Sequence, residues 1–143
     1  MSTGLEALPY RHVLTVPAMG PAVRIARETT EQVLAEWGVG RRHPCVDPAL
    51  LMVAELVTNS VRHAAELSPS LTVVFAGGPD TFAFAVHDRH PHQPVLHTEF
   101  TGSGTGSGGL ATVVELTLRL GGSAVVRPDA DGLGKSIWIT LPL

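Results

Sequence analysis

The chain is poor in the residues that cross-link a protein or stack within it. Its 143 residues include 1 cysteine and 1 tyrosine, and aromatics make up only 5%. The lone Cys45 forms no internal disulfide and builds no zinc site with other cysteines, which points to a reducing, cytoplasmic setting and to a small core residue. Charge is sparse as well, at 16% of residues, with a formal net charge of -3. That balance argues against a partner made of nucleic acid or an anionic membrane. Lys135 is the single lysine, and the arginines that make up the rest of the 10 basic residues are scattered. No basic stretch followed by an apolar run opens the chain, so no signal peptide is evident. No apolar run is long enough to span a bilayer. No internal repeat is visible.

What is present suits one core. Hydrophobic residues make up 44%, and the length fits a single domain over residues 1–143. Residues 12–16 form a short β-like run. Residues 21–37 read as a helix, with Pro21 in its first turn and Gly38 and Gly40 at its stop. Ala22, Ala26, Val33, Leu34 and Trp37 make its buried stripe. A second helix runs from an Asp47 cap, with Pro48 at its first position, to about residue 67. Residues 71–76 and 82–87 flank Gly77-Gly78-Pro79-Asp80 as an antiparallel hairpin. From 88 to 107 prolines and glycines break every pattern, and a stretch that long without structure is usually functional or disordered. A third helix over 110–120 stops at Gly121-Gly122, and a hairpin of 123–127 with 136–141 closes the chain. The order is not the alternating one of a doubly wound fold. It predicts an α+β two-layer sandwich, with three helices on one face of a mixed, mostly antiparallel sheet.

The second helix carries the most chemistry. Its stretch from Leu51 to Ala64 is apolar but for a few polar residues at helical spacing. Glu55 and Asn59 stand at i and i+4 on one face, and Arg62 and His63 continue it by a turn. A carboxylate and a carboxamide so placed can serve a base and a metal–phosphate group together, although a polar stripe on an amphipathic helix looks the same. Two glycine motifs compete for attention. Gly104-Thr105-Gly106-Ser107-Gly108-Gly109 fits G-x-G-x-x-G, but no strand leads into it. Gly134-Lys135-Ser136 resembles the end of a P-loop, but Asp129 stands where the earlier glycine belongs and a strand follows. What survives is a glycine stretch before a helix, whose first N–H groups lack partners and suit a phosphate. His87, His90, His92 and His97 cluster beside Asp88 at a spacing that matches no standard zinc pattern.

With these residues in view, the chain resembles the GHKL, or Bergerat-fold, ATPases, and among them the bacterial anti-sigma-factor serine kinases with a histidine-kinase-like ATPase domain. Residues 51–64 are similar to that family's N-box, L-x-V-x-E-L-V-T-N-A-V-R-H-A, with Ser60 in place of alanine. Val86-His87-Asp88, followed by Pro91 and Pro94, resembles a reduced first glycine box. Residues 106–110 resemble the second, and Gly134-Lys135-Ser136-Ile137-Trp138 the last strand. The four boxes fall in the right order across nearly the whole chain.

The resemblance implies roles. Asn59 would hold Mg²⁺, Glu55 would act as general base, and Asp88 would accept from the adenine 6-amino group. Gly106, Gly108, Gly109 and Leu110 would offer N–H groups to the phosphates of ATP, under a lid of about 89–108. Arg62 and His63 would lie near the nucleotide, Ser136 near the base, and Arg27 would meet a partner. The function implied is an ATP-dependent serine/threonine kinase and anti-sigma factor. Its partners would be a sigma factor and a STAS-domain antagonist, with homodimerisation. The alternative is an ATP-binding module that sequesters a partner without phosphoryl transfer. Two departures stand out. His90 occupies a usual glycine position, and Ser107-Gly108-Gly109-Leu110 replaces G-R-G-L. No lysine or arginine lies between Arg89 and Arg119, so modest ATP affinity and slow turnover are expected.

Overall fold

Apolar side chains alternate along 135–142 and along the first half of 70–77, whereas residues 82–86 are apolar and buried on both faces, and all three runs are strands. The computed structural model describes residues 8–64, 66–91 and 108–143. Their order is β1 (Tyr10–Pro17), α1 (Pro21–Glu36), α2 (Val46–Ala64), β2 (Ser70–Gly77), β3 (Thr81–Asp88), α3 (Gly108–Arg119), β4 (Ser123–Pro128) and β5 (Lys135–Pro142). The five strands form one sheet in the order β1-β2-β3-β5-β4. Every pairing is antiparallel, so the expected mixed element is absent among the described residues. β5 lies between β3 and β4, which brings the end of β3 beside the start of β5.

The core fills the space between this sheet and the helices. Leu71, Val73 and Phe75 of β2, Phe82, Phe84 and Val86 of β3, and Ile137, Ile139 and Leu141 of β5 are all buried. They share one cluster with Ala22, Ala26, Val33 and Leu34 of α1, Met52, Val53, Leu56 and Val57 of α2, and Val113 of α3. Thr117 of α3 is buried too, and its hydroxyl is satisfied by the Val113 carbonyl at 2.7 Å. On the opposite face, register aligns Val13, Val74, Ala85, Trp138 and Val125 in a row across the sheet. Cys45 is buried, and burial pushes its thiol pKa up, which suits an inert core residue.

The helix boundaries follow from local chemistry. α1 ends one residue earlier than its apolar stripe suggests, with the half-buried Trp37 as its cap. The Val39 N–H bonds back to the Leu34 carbonyl at 2.9 Å, and the Gly38 N–H to that of Ala35 at 3.1 Å. This pair of bonds requires a left-handed residue, and Gly38 supplies it at φ 82°. α2 starts at Val46, so Asp47 sits inside the first turn rather than capping it. Its carboxylate takes the Arg41 guanidinium at 2.6 Å instead.

Gly38→Ala isolates the conformational cost of that stop, because an added Cβ meets nothing within 4 Å. We expect it to lower unfolding stability by about 1–2 kcal/mol, read as a shifted urea midpoint at unchanged m-value.

Candidate functional site

At 100° per residue, α2 presents Glu55 and Asn59 along one edge and turns Ser60 a quarter-turn away, toward the sheet. Ser60 is buried, while Glu55 and Asn59 are half-buried. Neither Glu55 nor Asn59 takes a side-chain hydrogen-bond partner among the described residues. A carboxylate and a hard carbonyl oxygen are thus held side by side on a rigid helix. That donor set fits a magnesium–phosphate group. Arg62 and His63 are exposed in the last turn, where positive charge complements the helix dipole.

Ser60 meets Asp88 at the end of β3. Its hydroxyl donates to Asp88 Oδ2 at 2.7 Å. Lys135 Nζ donates to Oδ1 at 2.6 Å, and the His90 backbone N–H donates to the same oxygen at 3.0 Å. Both members of the ion pair are deeply buried, with side chains 9% and 4% exposed for Lys135 and Asp88. Strand register explains the meeting, since Asp88 stands opposite Lys135. β5 alternates, so Lys135 shares its inward face with Ile137, Ile139 and Leu141. Ser136 pairs with His87 and with Arg127, in the row of the sheet's other face. The residue that β5 delivers to Asp88 is therefore Lys135, not Ser136.

A second set of charges fixes the same corner from the other side. The turn between β4 and β5 brings Asp129 within 2.9 Å of His87 Nε2. Arg89 reaches Asp129 at 2.5 Å and Asp131 at 2.9 Å. The His87 ring, then the Arg89 guanidinium, hold the Asp129 carboxyl below the usual carboxylate range. Arg89 does the same for Asp131, helped by the Leu133 N–H, and both acids push the Arg89 pKa up. Gly134 permits this packing. A Cβ there would lie 2.5 Å from Asp129 Oδ2 and 2.7 Å from the Asp88 carbonyl oxygen.

Of the residues singled out in the sequence, Asp88 is at the centre and Glu55 and Asn59 line the adjacent edge. Gly108, Gly109 and Leu110 open α3, and Leu110 packs against the core. Gly106, His92, His97 and most of the 89–108 stretch lie outside the described residues. Arg27 is exposed on α1 and lines a cleft with Arg24, Glu28, Glu31 and Leu50, none of them a partner of Asp88. Sequence reasoning missed Lys135, Asp129 and Asp131. The inward period of β5 is the signal that would have found the first.

Comparison with known proteins agrees with the fold. Residues 46–143 match the family of histidine kinase-, DNA gyrase B- and HSP90-like ATPases. No curated protein matches the chain. Among solved structures, the RsbU and RsbW domains of Rv1364c from Mycobacterium tuberculosis are similar, at a TM-score of 0.65 and 22% identity over 94% of this chain. The histidine kinase domain of the blue-light activated histidine kinase EL346 from Erythrobacter litoralis is similar at a TM-score of 0.52 and 17% identity over 90%. This chain spans 33% of the first of those chains and 62% of the second. The chain belongs to the histidine kinase-, DNA gyrase B- and HSP90-like ATPase family, and its fold is the Bergerat fold of that family.

The acid cluster has a pH signature. Asp129 is held below its ordinary value of 3.8, so its contribution to stability is present above that pH and lost as pH falls through the lower native value. Asp129→Asn should therefore be less stable than the parent at pH 7. The gap should close as pH drops below 3.8, as measured by urea unfolding across pH.

Proposed function

We propose that this chain is an ATP-binding anti-sigma factor that phosphorylates a STAS-domain antagonist on serine or threonine. The observation that carries the reading is the placement of Glu55 and Asn59 one turn apart, without side-chain partners among the described residues, beside the buried Asp88. The family supports ATP as the nucleotide, and the similarity in fold to the RsbU and RsbW domains of Rv1364c is consistent with the anti-sigma factor resemblance of the sequence. We take residues 1–143 as one ATPase domain, acting in the cytoplasm as a homodimer. Among the described residues no helix is long and apolar enough to cross a membrane.

Bound Mg²⁺ supplies charge neutralisation at the phosphates. Asn59 Oδ1 would hold it, with phosphate and water completing the shell. Asp88 would accept from the adenine amino group. The N–H groups that open α3, at Gly108, Gly109 and Leu110, would face the phosphates, with Arg62 and His63 at the rim. Glu55 would take the proton of the partner's hydroxyl as its oxygen bonds to the γ-phosphorus and the bond to ADP breaks. Arg27 and the neighbouring charged cleft on α1 would meet the sigma factor or the antagonist.

A second reading, a nucleotide-gated binding module without phosphoryl transfer, is favoured by one observation. No lysine or arginine lies between Arg89 and Arg119. A pull-down with and without Mg-ATP, followed by a phosphorylation assay on the captured antagonist, separates the two. Glu55→Ala should bind Mg-ATP within a few-fold of the parent and lose at least about a hundredfold in phosphorylation rate. Undiminished phosphorylation by that variant contradicts the base role. Nucleotide-dependent capture with no phosphorylation by the parent favours the module.

A further inference from the structure

The buried pair of Asp88 and Lys135 has capacity left over. A carboxylate offers about four acceptor positions and an ammonium three donors. On Asp88, Oδ1 takes Lys135 and the His90 N–H, while Oδ2 takes only Ser60. Lys135 Nζ reaches Asp88 Oδ1 at 2.6 Å and, weakly, the His90 carbonyl at 3.4 Å. One acceptor position on Oδ2 and one N–H on Nζ are left among the described residues, on two groups joined by the 2.6 Å bond to Oδ1. Stability alone gives no reason for this arrangement. A buried ion pair gains little over an apolar pair of the same size, because both charges must leave water.

A carboxylate alone reads a single donor. A carboxylate beside an ammonium reads a donor and an acceptor at once. The Watson–Crick edge of adenine offers that combination, with the N6 amino group donating and N1 accepting. We propose that Lys135 is a second base-reading residue, donating to adenine N1 while Asp88 accepts from the N6 amino group. The assignment rests on the nucleotide-binding reading above and extends it. Ser60 and the His90 N–H then have a defined task. Together with Lys135 they occupy the other three acceptor positions of Asp88 and so fix which lone pair faces the base. Guanine presents the reverse order, an acceptor at position 6 and a donor at position 1. It would have to shift in its plane to satisfy the same pair.

The test uses the full chain and three nucleotides with Mg²⁺: ATP, 1-deaza-ATP, which lacks the N1 acceptor, and 7-deaza-ATP, which keeps it. Binding is measured by calorimetry for the parent and for Lys135→Met, with thermal melting to confirm folding. The parent should bind 1-deaza-ATP about 10- to 100-fold more weakly than ATP, the range of a hydrogen bond from a charged donor. It should bind 7-deaza-ATP within about threefold of ATP, a loss below that of one hydrogen bond. Lys135→Met should bind ATP more weakly by a similar factor and no longer distinguish ATP from 1-deaza-ATP. Equal binding of ATP and 1-deaza-ATP by the parent overturns the assignment, whether or not the variant folds. So does a variant that keeps the discrimination, or one that binds ATP more tightly because the lysine had blocked the site. If ATP itself fails to bind the parent, the nucleotide reading falls and this assignment with it. ATP binding without N1 discrimination removes this assignment alone.

Discussion

The ion pair between Asp88 and Lys135 is the interaction on which the rest of the site depends. It joins the last residue of β3 to the first of β5 in a largely buried place, with the two side chains only 9% and 4% exposed. Leaving either charge there without the other is expensive, because a low-dielectric surround penalises an unpaired ion far more than it rewards a pair. The pair therefore ties strand register to helix position. Asp88 reaches Lys135 only if β3 and β5 are aligned, and it reaches Ser60 only if α2 lies across that corner at the observed rotation. Asn59 and Glu55 inherit their places from that rotation.

The corner is braced twice, with different chemistry on its two sides. Inside, a carboxylate is surrounded by an ammonium, a hydroxyl and an amide. Outside, His87 and Arg89 meet Asp129 and Asp131 on the β4–β5 turn, where partial exposure makes each contact weaker. Residues 87, 88 and 89 thus alternate between the two sets as strand geometry requires. The exit of β3 is held from both directions. The Arg89 N–H adds a further tie through the Ser68 hydroxyl at 2.8 Å.

Much of the fold was legible because its signals are local. Alternation along β5, the short apolar runs of β2 and β3, and the glycines that close α1 and α3 needed no knowledge of distant contacts. The site was legible in part. Glu55 and Asn59 announce themselves by spacing on a single helix. The partners of Asp88 do not, because Ser60 lies 28 residues away and Lys135 lies 47 away. Lys135 arrives because β5 inserts between β3 and β4, a pairing of strands distant in sequence, and Ser60 because α2 packs across the end of β3. Ser136 drew attention by matching a motif, whereas the inward period of Ile137, Ile139 and Leu141 already placed Lys135 on the face of Asp88. The acids of the β4–β5 turn read as turn formers, and their hold on Arg89 follows only from that same insertion.

In the proposed function, Asp88, braced by Ser60 and Lys135, is where an adenine nucleotide is recognised. The most direct measurement is calorimetric titration of Mg-ATP into the parent and into Asp88→Asn, with matched thermal melting. An amide there keeps the shape and turns a donor toward the adenine amino group. We expect saturable binding by the parent and a loss of at least about tenfold in the folded variant, the value of one hydrogen bond in affinity. Equal binding by parent and variant, or none by a folded parent, would contradict it.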